Sequence, residues 1–166
     1  ATPEAALAAV DGSASEAIVR RTGEWTARQV RTALDLQSDH KILELGCGVG
    51  RIGRELAPHC ASWSGTDISQ ALLDVAESRL GEFDNVQFNL LEATRLDMFD
   101  RRYFDRAYTV AVLCHMDKED LFLYLEEMAR VLETGGMLYA ETWNLAHPVG
   151  WKRWRFEVNN WRRSDQ

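Results

Sequence analysis

The residues best suited to chemistry lie in one short run. Ile42 to Gly53 reads ILELGCGVGRIG, with glycines at 46, 48, 50 and 53 and an acid, Glu44, just ahead of them. Glycine permits a tight turn and lets a ligand come close to the backbone. A helix that starts behind such a loop presents free N–H groups to oxygen atoms. Gly48, Gly50 and Gly53 spell G-x-G-x-x-G, and Asp67 lies 19 residues after Gly48, where an acid that accepts hydrogen bonds from ribose hydroxyls is expected. That pattern suits a dinucleotide and hydride transfer. Glu44 points elsewhere. It interrupts a run that should be buried, and a buried carboxylate is costly unless something uses it. Beside a pyrophosphate an ionised acid would repel the ligand. His115 follows another apolar run. An imidazole titrates near neutral pH, so His115 is the candidate general base, with a structural role as its alternative. His40, His59, His115 and His147 lack ligand spacing, and Cys47, Cys60 and Cys114 show no C-x-x-C, so no metal site is expected.

These groups need elements to place them. Lys41 to Leu45 is a short apolar run closed by glycine, as in a buried parallel strand. A helix from about Gly50 to Ala57 should follow, ended by Pro58. Ala61 to Thr66 reads as a second strand ending at Asp67. Ser69 suits the N-cap of a helix over Gln70 to Leu80, which Gly81 stops. Val86 to Leu91 reads as the third strand and Phe104 to Leu113 as the fourth. Asp117 should cap an amphipathic helix with Leu121, Leu125, Met128 and Leu132 on one face, ended by Gly135-Gly136. Met137 to Thr142 is then the fifth strand. Ahead of all this, residues 1–36 read as helical. Thr2-Pro3-Glu4 is a start signal, Asp11-Gly12-Ser13 and Gly23 are breaks, and a last helix runs from Thr26 to about Leu36. Strands alternating with helices predict a doubly wound α/β fold with a parallel sheet, and ligands bind beyond the carboxyl ends of such strands where the strand order reverses.

Composition narrows the partners. The 166 residues suffice for one domain with a real core. A formal net charge of −7 makes nucleic acid an unfavourable partner. Three sparse cysteines point to reduced thiols and a cytoplasmic home. The run Ala5 to Val10 has no basic residue before it and Asp11 after it, so it reads as neither a signal peptide nor a membrane span, and no membrane partner is expected.

The spacing Glu44-x-Gly46-x-Gly48-x-Gly50 resembles the acid–glycine motif of class I S-adenosylmethionine-dependent methyltransferases. VQFNLLEA (Val86 to Ala93) and FDRAYTVAVLCHM (Phe104 to Met116) are similar to that family's third strand end and fourth strand, and the resemblance covers roughly Thr26 to Thr142. It implies a Rossmann-like sheet and S-adenosylmethionine as cofactor. Glu44 would help hold the methionine end, and Gly46, Cys47, Gly48 and Gly50 would form the loop around it. Asp67 would take the ribose hydroxyls and Ile68 the adenine face. Glu92, standing where the family usually has Asp, and the N–H of Ala93 would recognise the adenine edge. The backbone of Val110 would pass near the methionine. Glu141, Trp143 and Asn144 lie in the layer for substrate contact, at the end of the fifth strand. The implied reaction is in-line displacement onto a small-molecule acceptor, for which the protein chiefly supplies alignment. An NAD(P)-dependent oxidoreductase and a cofactor-binding module without activity remain as alternatives.

In domain terms, 1–25 reads as an amino-terminal helical cap, 26–142 as the cofactor-binding core, and 143–166 as a basic, Trp-rich tail. With the amino-terminal helices, Trp151 to Arg163 would close over the acceptor, with Trp151, Trp154 and Trp161 suiting an anionic or aromatic molecule. Class I enzymes follow the fifth strand with a helix and an antiparallel hairpin. His147-Pro148 and Gly150 break the remainder here, so five strands in the order 3-2-1-4-5 are expected, with the hairpin missing. An edge strand left open would need a covering helix or a second copy, as in a homodimer. A truncated chain, or a longer protein given only in part, accounts better for such a chain.

Overall fold

The computed structural model describes residue 5 and residues 15–164. The start signal at Thr2-Pro3-Glu4, most of the alanine-rich run and the break at Asp11-Gly12-Ser13 lie outside the described residues, as does the side chain of Trp161. Five parallel strands form one sheet: β1 (Lys41–Leu45), β2 (Ser62–Asp67), β3 (Val86–Leu90), β4 (Phe104–Thr109) and β5 (Leu132–Ala140). Their order is β3-β2-β1-β4-β5, as the alternating pattern predicts. The helices are α1 (Glu16–Ala33), α2 (Gly53–Leu56), α3 (Gln70–Leu80), α4 (Lys118–Val131) and α5 (Pro148–Ser164). Among the described residues no further strand follows β5, and no helix is long and apolar enough to cross a membrane.

The central strands β1, β2 and β4 are largely buried on both faces, whereas the edge strands β3 and β5 are only partly covered. On one face Ile42, Trp63 and Tyr108 pack with Ala27, Val30 and Leu34 of α1, Leu56 of α2, and Leu73 and Leu80 of α3. On the other, Leu43, Leu45 and Ala107 pack with Tyr124, Met128 and Val131 of α4 and with Leu91, Leu96 and Phe99 from the segment after β3. Each such aliphatic or aromatic side chain contributes about 1.5–3 kcal/mol on burial. The segment after β3 is also pinned by Arg130, whose guanidinium donates to the carbonyls of Leu96 and Phe99.

Several boundaries differ from the sequence expectation, each for a local reason. Gly23 does not break the first helix. α1 runs through it, and the missing side chain serves packing, since a Cβ there would lie 2.6 Å from the Arg51 carbonyl oxygen. The boundary expected at residue 25 therefore falls inside a helix. Residues 48–52 form turns, α2 is a single turn, and Pro58 sits at the start of a 3₁₀ turn over Ala57–His59. β4 ends at Thr109 rather than Leu113, because the chain turns at Ala111 (φ 59°) into a 3₁₀ turn over Leu113–His115. Asp117 does cap α4, accepting from the Asp120 N–H at 2.9 Å. Gly135-Gly136 does not end that helix. α4 stops at Val131 because the N–H groups of Arg102 and Tyr103 satisfy the carbonyls of Arg130 and Val131, and β5 starts at once. The two glycines shape a bulge instead: the register steps from Phe104↔Leu132 to Arg106↔Met137, with Gly135 at φ 87°. Ser69 occupies the N-cap of α3, but its side chain makes no capping bond.

Candidate functional site

A cavity of about 420 Å³ opens at the carboxyl ends of β1, β2 and β4. This is the switch point of the sheet, where β1 has β2 on one side and β4 on the other. β1 contributes Glu44 and Leu45, and the loop behind it Gly46, Cys47 and Gly48, then Arg51 and Ile52. β2 contributes Asp67, the turn after it Ile68 and Ser69, and α3 Leu72. Leu91 enters after β3, Val110, Ala111 and Val112 after β4, and His115, Met116 and Tyr124 close the far wall.

The glycine loop works by shape. Gly46 has φ 74°, and a Cβ on it would lie 2.3 Å from Val112. Gly48 has φ 54°. Gly50, also with positive φ, faces away from the cavity and lets Leu80 of α3 approach; a Cβ there would lie 2.5 Å from it. Asp67 anchors the loop. Its Oδ2 accepts the Gly48 N–H at 2.8 Å and its Oδ1 the Ser69 N–H at 2.9 Å. That second bond orders the turn that leads into α3. A carboxylate has about four acceptor positions, so each oxygen of Asp67 keeps capacity for a ligand hydroxyl.

Glu44 is only 3% exposed, yet it lines the cavity. Its Oε2 accepts the Tyr108 hydroxyl at 2.5 Å, and that hydroxyl accepts the Trp63 indole N–H at 2.9 Å. Burial pushes the Glu44 carboxyl up to about 8, against the opposing pull of the Tyr108 hydroxyl and the Arg51 guanidinium. Burial likewise pushes the Cys47 thiol upward, helped by Glu44 and Asp67, so it stays protonated and unreactive at neutral pH.

Of the residues expected from sequence, the structure gathers Glu44, Gly46, Cys47, Gly48, Asp67, Ile68, Val110 and His115 around one cavity. Ile68 is 76% exposed, an isolated apolar side chain at the cavity mouth. Glu92 and Ala93 are exposed and outside the lining, and β3 reaches the cavity through Leu91. The Tyr124 hydroxyl approaches the Ala93 carbonyl at 3.4 Å. Glu141, Trp143 and Asn144 also lie outside the lining. Glu141 accepts the Tyr139 hydroxyl, Trp143 lies against Arg153, and Asn144 organises the turn into α5, with its Oδ1 accepting the Ala146 N–H. Sequence reasoning missed Arg51, whose signal was its place directly behind the glycine loop. It also missed Tyr124 and Met116, which line the cavity.

Comparisons with known proteins agree with this geometry. The Methyltransferase domain family matches residues 42–136. Methyltransferase GfsG of Streptomyces halstedii is 38% identical over 120 residues, covering 70% of this chain and 42% of that protein. The O-methyltransferase resE of Aspergillus sclerotiorum is 30% identical over 128 residues, covering 75% and 47%. The chain thus spans less than half the length of these two relatives. Among solved structures, PH0226 of Pyrococcus horikoshii shares the fold with a TM-score of 0.69 at 24% identity, covering 80% of this chain and 61% of that one. A phosphoethanolamine N-methyltransferase of Haemonchus contortus, solved with phosphoethanolamine and S-adenosylhomocysteine, gives a TM-score of 0.61 at 14% identity, covering 78% and 33%. The oxidoreductase alternative finds no support among these matches. With its glycine loop, its two cavity acids and its strand order all in place, the chain belongs to the Methyltransferase domain family, on a Rossmann-like sheet.

Proposed function

We propose that this chain binds S-adenosylmethionine in the cavity at the switch point and directs its methyl group to a small-molecule acceptor. The observation that carries the reading is Glu44, a buried acid facing a cavity at the base of a glycine loop. A cationic ligand draws this carboxyl into its charged form, whereas a dinucleotide's pyrophosphate would oppose its ionisation. The amino-acid end of S-adenosylmethionine is a zwitterion, and the same end of the cavity offers both signs, Glu44 for the ammonium and Arg51 for the carboxylate. Gly46 and Gly48, which no side chain could replace without strain, let that end approach the backbone. Asp67 has acceptor capacity for the ribose hydroxyls, and Ile68 offers an apolar face for the adenine.

The cofactor's sulfonium supplies a methyl group already activated for displacement. The chain's own task is to fix the cofactor, exclude water and align the acceptor. His115 lines the cavity and is exposed, and in this reading it takes the proton from an acceptor hydroxyl. Relatives named as O-methyltransferases favour oxygen as the acceptor atom. α5 carries the chemistry of an acceptor cover: Trp151 stacks on Trp154, and Arg153 lies against the rings of Trp143 and Phe156. None of the three cysteines is in a disulfide, which suits a reducing, cytoplasmic setting.

Calorimetry with S-adenosylmethionine on the wild type and on Asp67→Ala tests the reading. Loss of two charge-assisted hydrogen bonds should weaken binding by about 2–4 kcal/mol. An affinity unchanged in the variant would remove Asp67 from the site, and no binding to the wild type would refute the reading itself.

A further inference from the structure

Glu44 is one end of a buried chain across three neighbouring strands. Trp63 on β2 donates to Tyr108 on β4, and Tyr108 donates to Glu44 on β1 between them. Trp63 and Tyr108 are fully buried. The register makes this possible, since Glu44 lies opposite Gly65 on β2 and opposite Tyr108 on β4. The indole lies over two glycines: a Cβ at Gly65 would sit 2.2 Å from its ring and one at Gly53 2.3 Å. The direction of the chain is fixed by chemistry. An indole N–H can only donate. The Tyr108 oxygen must therefore accept from Trp63, and its single proton is left for Glu44. Oε2 of Glu44 is held as an acceptor, and any proton on the carboxyl sits on the other oxygen.

Resting on the function proposed above, we infer that Tyr108 and Trp63 are positioning residues that hold Glu44 as an oriented acceptor for the cofactor's ammonium group, so that cofactor affinity rises with pH through neutrality. The other groups facing Glu44 are Arg51, which favours its charged form, Asp67, which opposes it, and Cys47, whose thiol burial keeps neutral. The empty site holds the carboxyl protonated up to about 8. Binding near neutral pH then releases that proton to solvent and leaves a carboxylate beside the ammonium. The amino-acid end is in this way recognised by a group that is neutral while the site is empty.

The test compares S-adenosylhomocysteine, which keeps the ammonium, with 5′-methylthioadenosine, which lacks the amino-acid end. Calorimetry from about pH 5.5 to about pH 8, over which the ligand's own amino group stays largely charged, should show the affinity of the first rising by up to about tenfold per pH unit and levelling toward the top of the range, and that of the second staying flat. Tyr108→Phe should move the levelling point to higher pH and weaken S-adenosylhomocysteine by about tenfold at pH 7 while sparing methylthioadenosine. Trp63→Phe should do the same to a smaller degree. A Tyr108→Phe variant that melts earlier but keeps the wild-type pH profile would overturn the inference and leave the relay a purely structural tie. Proton release by the wild type, measured in buffers of different ionisation enthalpy, gives a second readout that needs no variant. Close to one proton should be released at pH 7, and release of none overturns the inference. Failure of the wild type to bind either ligand would overturn the proposed function, and the inference with it.

Discussion

Replacing Glu44 with glutamine should change how the stability of the ligand-free protein depends on pH. The folded protein keeps the Glu44 proton up to about 8, whereas a carboxyl in the unfolded chain releases it above the ordinary 4.5. Between those values the folded state binds more protons than the unfolded one, so stability falls as pH rises. The slope cannot exceed about 1.4 kcal/mol per pH unit, which sets a ceiling of about 5 kcal/mol over the window, reduced by any relaxation that lets water reach the group. Glutamine has no proton to lose, so Glu44→Gln should lack this fall. Urea denaturation of both proteins at several pH values between 5 and 8 measures it. The informative quantity is the wild-type stability minus that of the variant, in which the other titrating groups cancel. It should move in the variant's favour by several kcal/mol as pH rises. A constant difference would refute the idea of a buried neutral acid. That constant difference is the outcome expected if Glu44 is ionised in the empty protein, with Arg51 as its counterion, because the carboxyl would then be charged in both states across the window.

Three further substitutions probe separate features. His115→Ala should lower turnover on a hydroxyl acceptor by about a hundredfold or more while leaving cofactor affinity unchanged, and unaltered turnover would remove His115 as the base. Gly53→Ala places a Cβ 2.3 Å from the fully buried Trp63 ring and should cost about 1–3 kcal/mol in chemical denaturation. A neutral result there would mean that α2 can shift away from β2 freely. Ile68→Ser, at a site 76% exposed, should leave stability within about 0.5 kcal/mol yet weaken adenosine-containing ligands by about 1–2 kcal/mol; equal affinity would place the adenine elsewhere.

The strand order was legible because the chain alternates strands with helices, even though β2 reads SWSGTD, and β1 because it is a compact apolar run closed by glycine. Glu44 was legible because it violates that apolarity, and Asp67 because it stands at a strand end at a fixed distance from the loop. What escaped notice depends on register between distant residues. Nothing near Glu44 in sequence announces Tyr108, 64 residues on, which becomes its neighbour only when β4 pairs with β1. Gly23 reads as a helix breaker because its use, the approach of the Arg51 carbonyl, is tertiary. The end of α4 is set by N–H groups from residues 102 and 103, so the nearest glycine pair was a false stop. Glu141 is different. Its partner Tyr139 lies two residues earlier on the same face of an extended chain, so strand periodicity alone could have paired them.

Arg51 looks in two directions. Its side chain lines the cavity and donates to the Thr26 hydroxyl at 3.2 Å, while its carbonyl rests against Gly23, so α1 is tied to the glycine loop at this residue. Local opening of α1 would have to tear Arg51 from the helix and disorder one wall of the site. A ligand that needs that wall raises the free energy of the opening by its own binding term, about 2.7 kcal/mol at a hundredfold excess over its Kd. The amides of α1 then exchange with solvent about a hundredfold more slowly when the cavity is full. A helix that supplies neither acid nor loop becomes the gauge of occupancy, because it shares one arginine with the site.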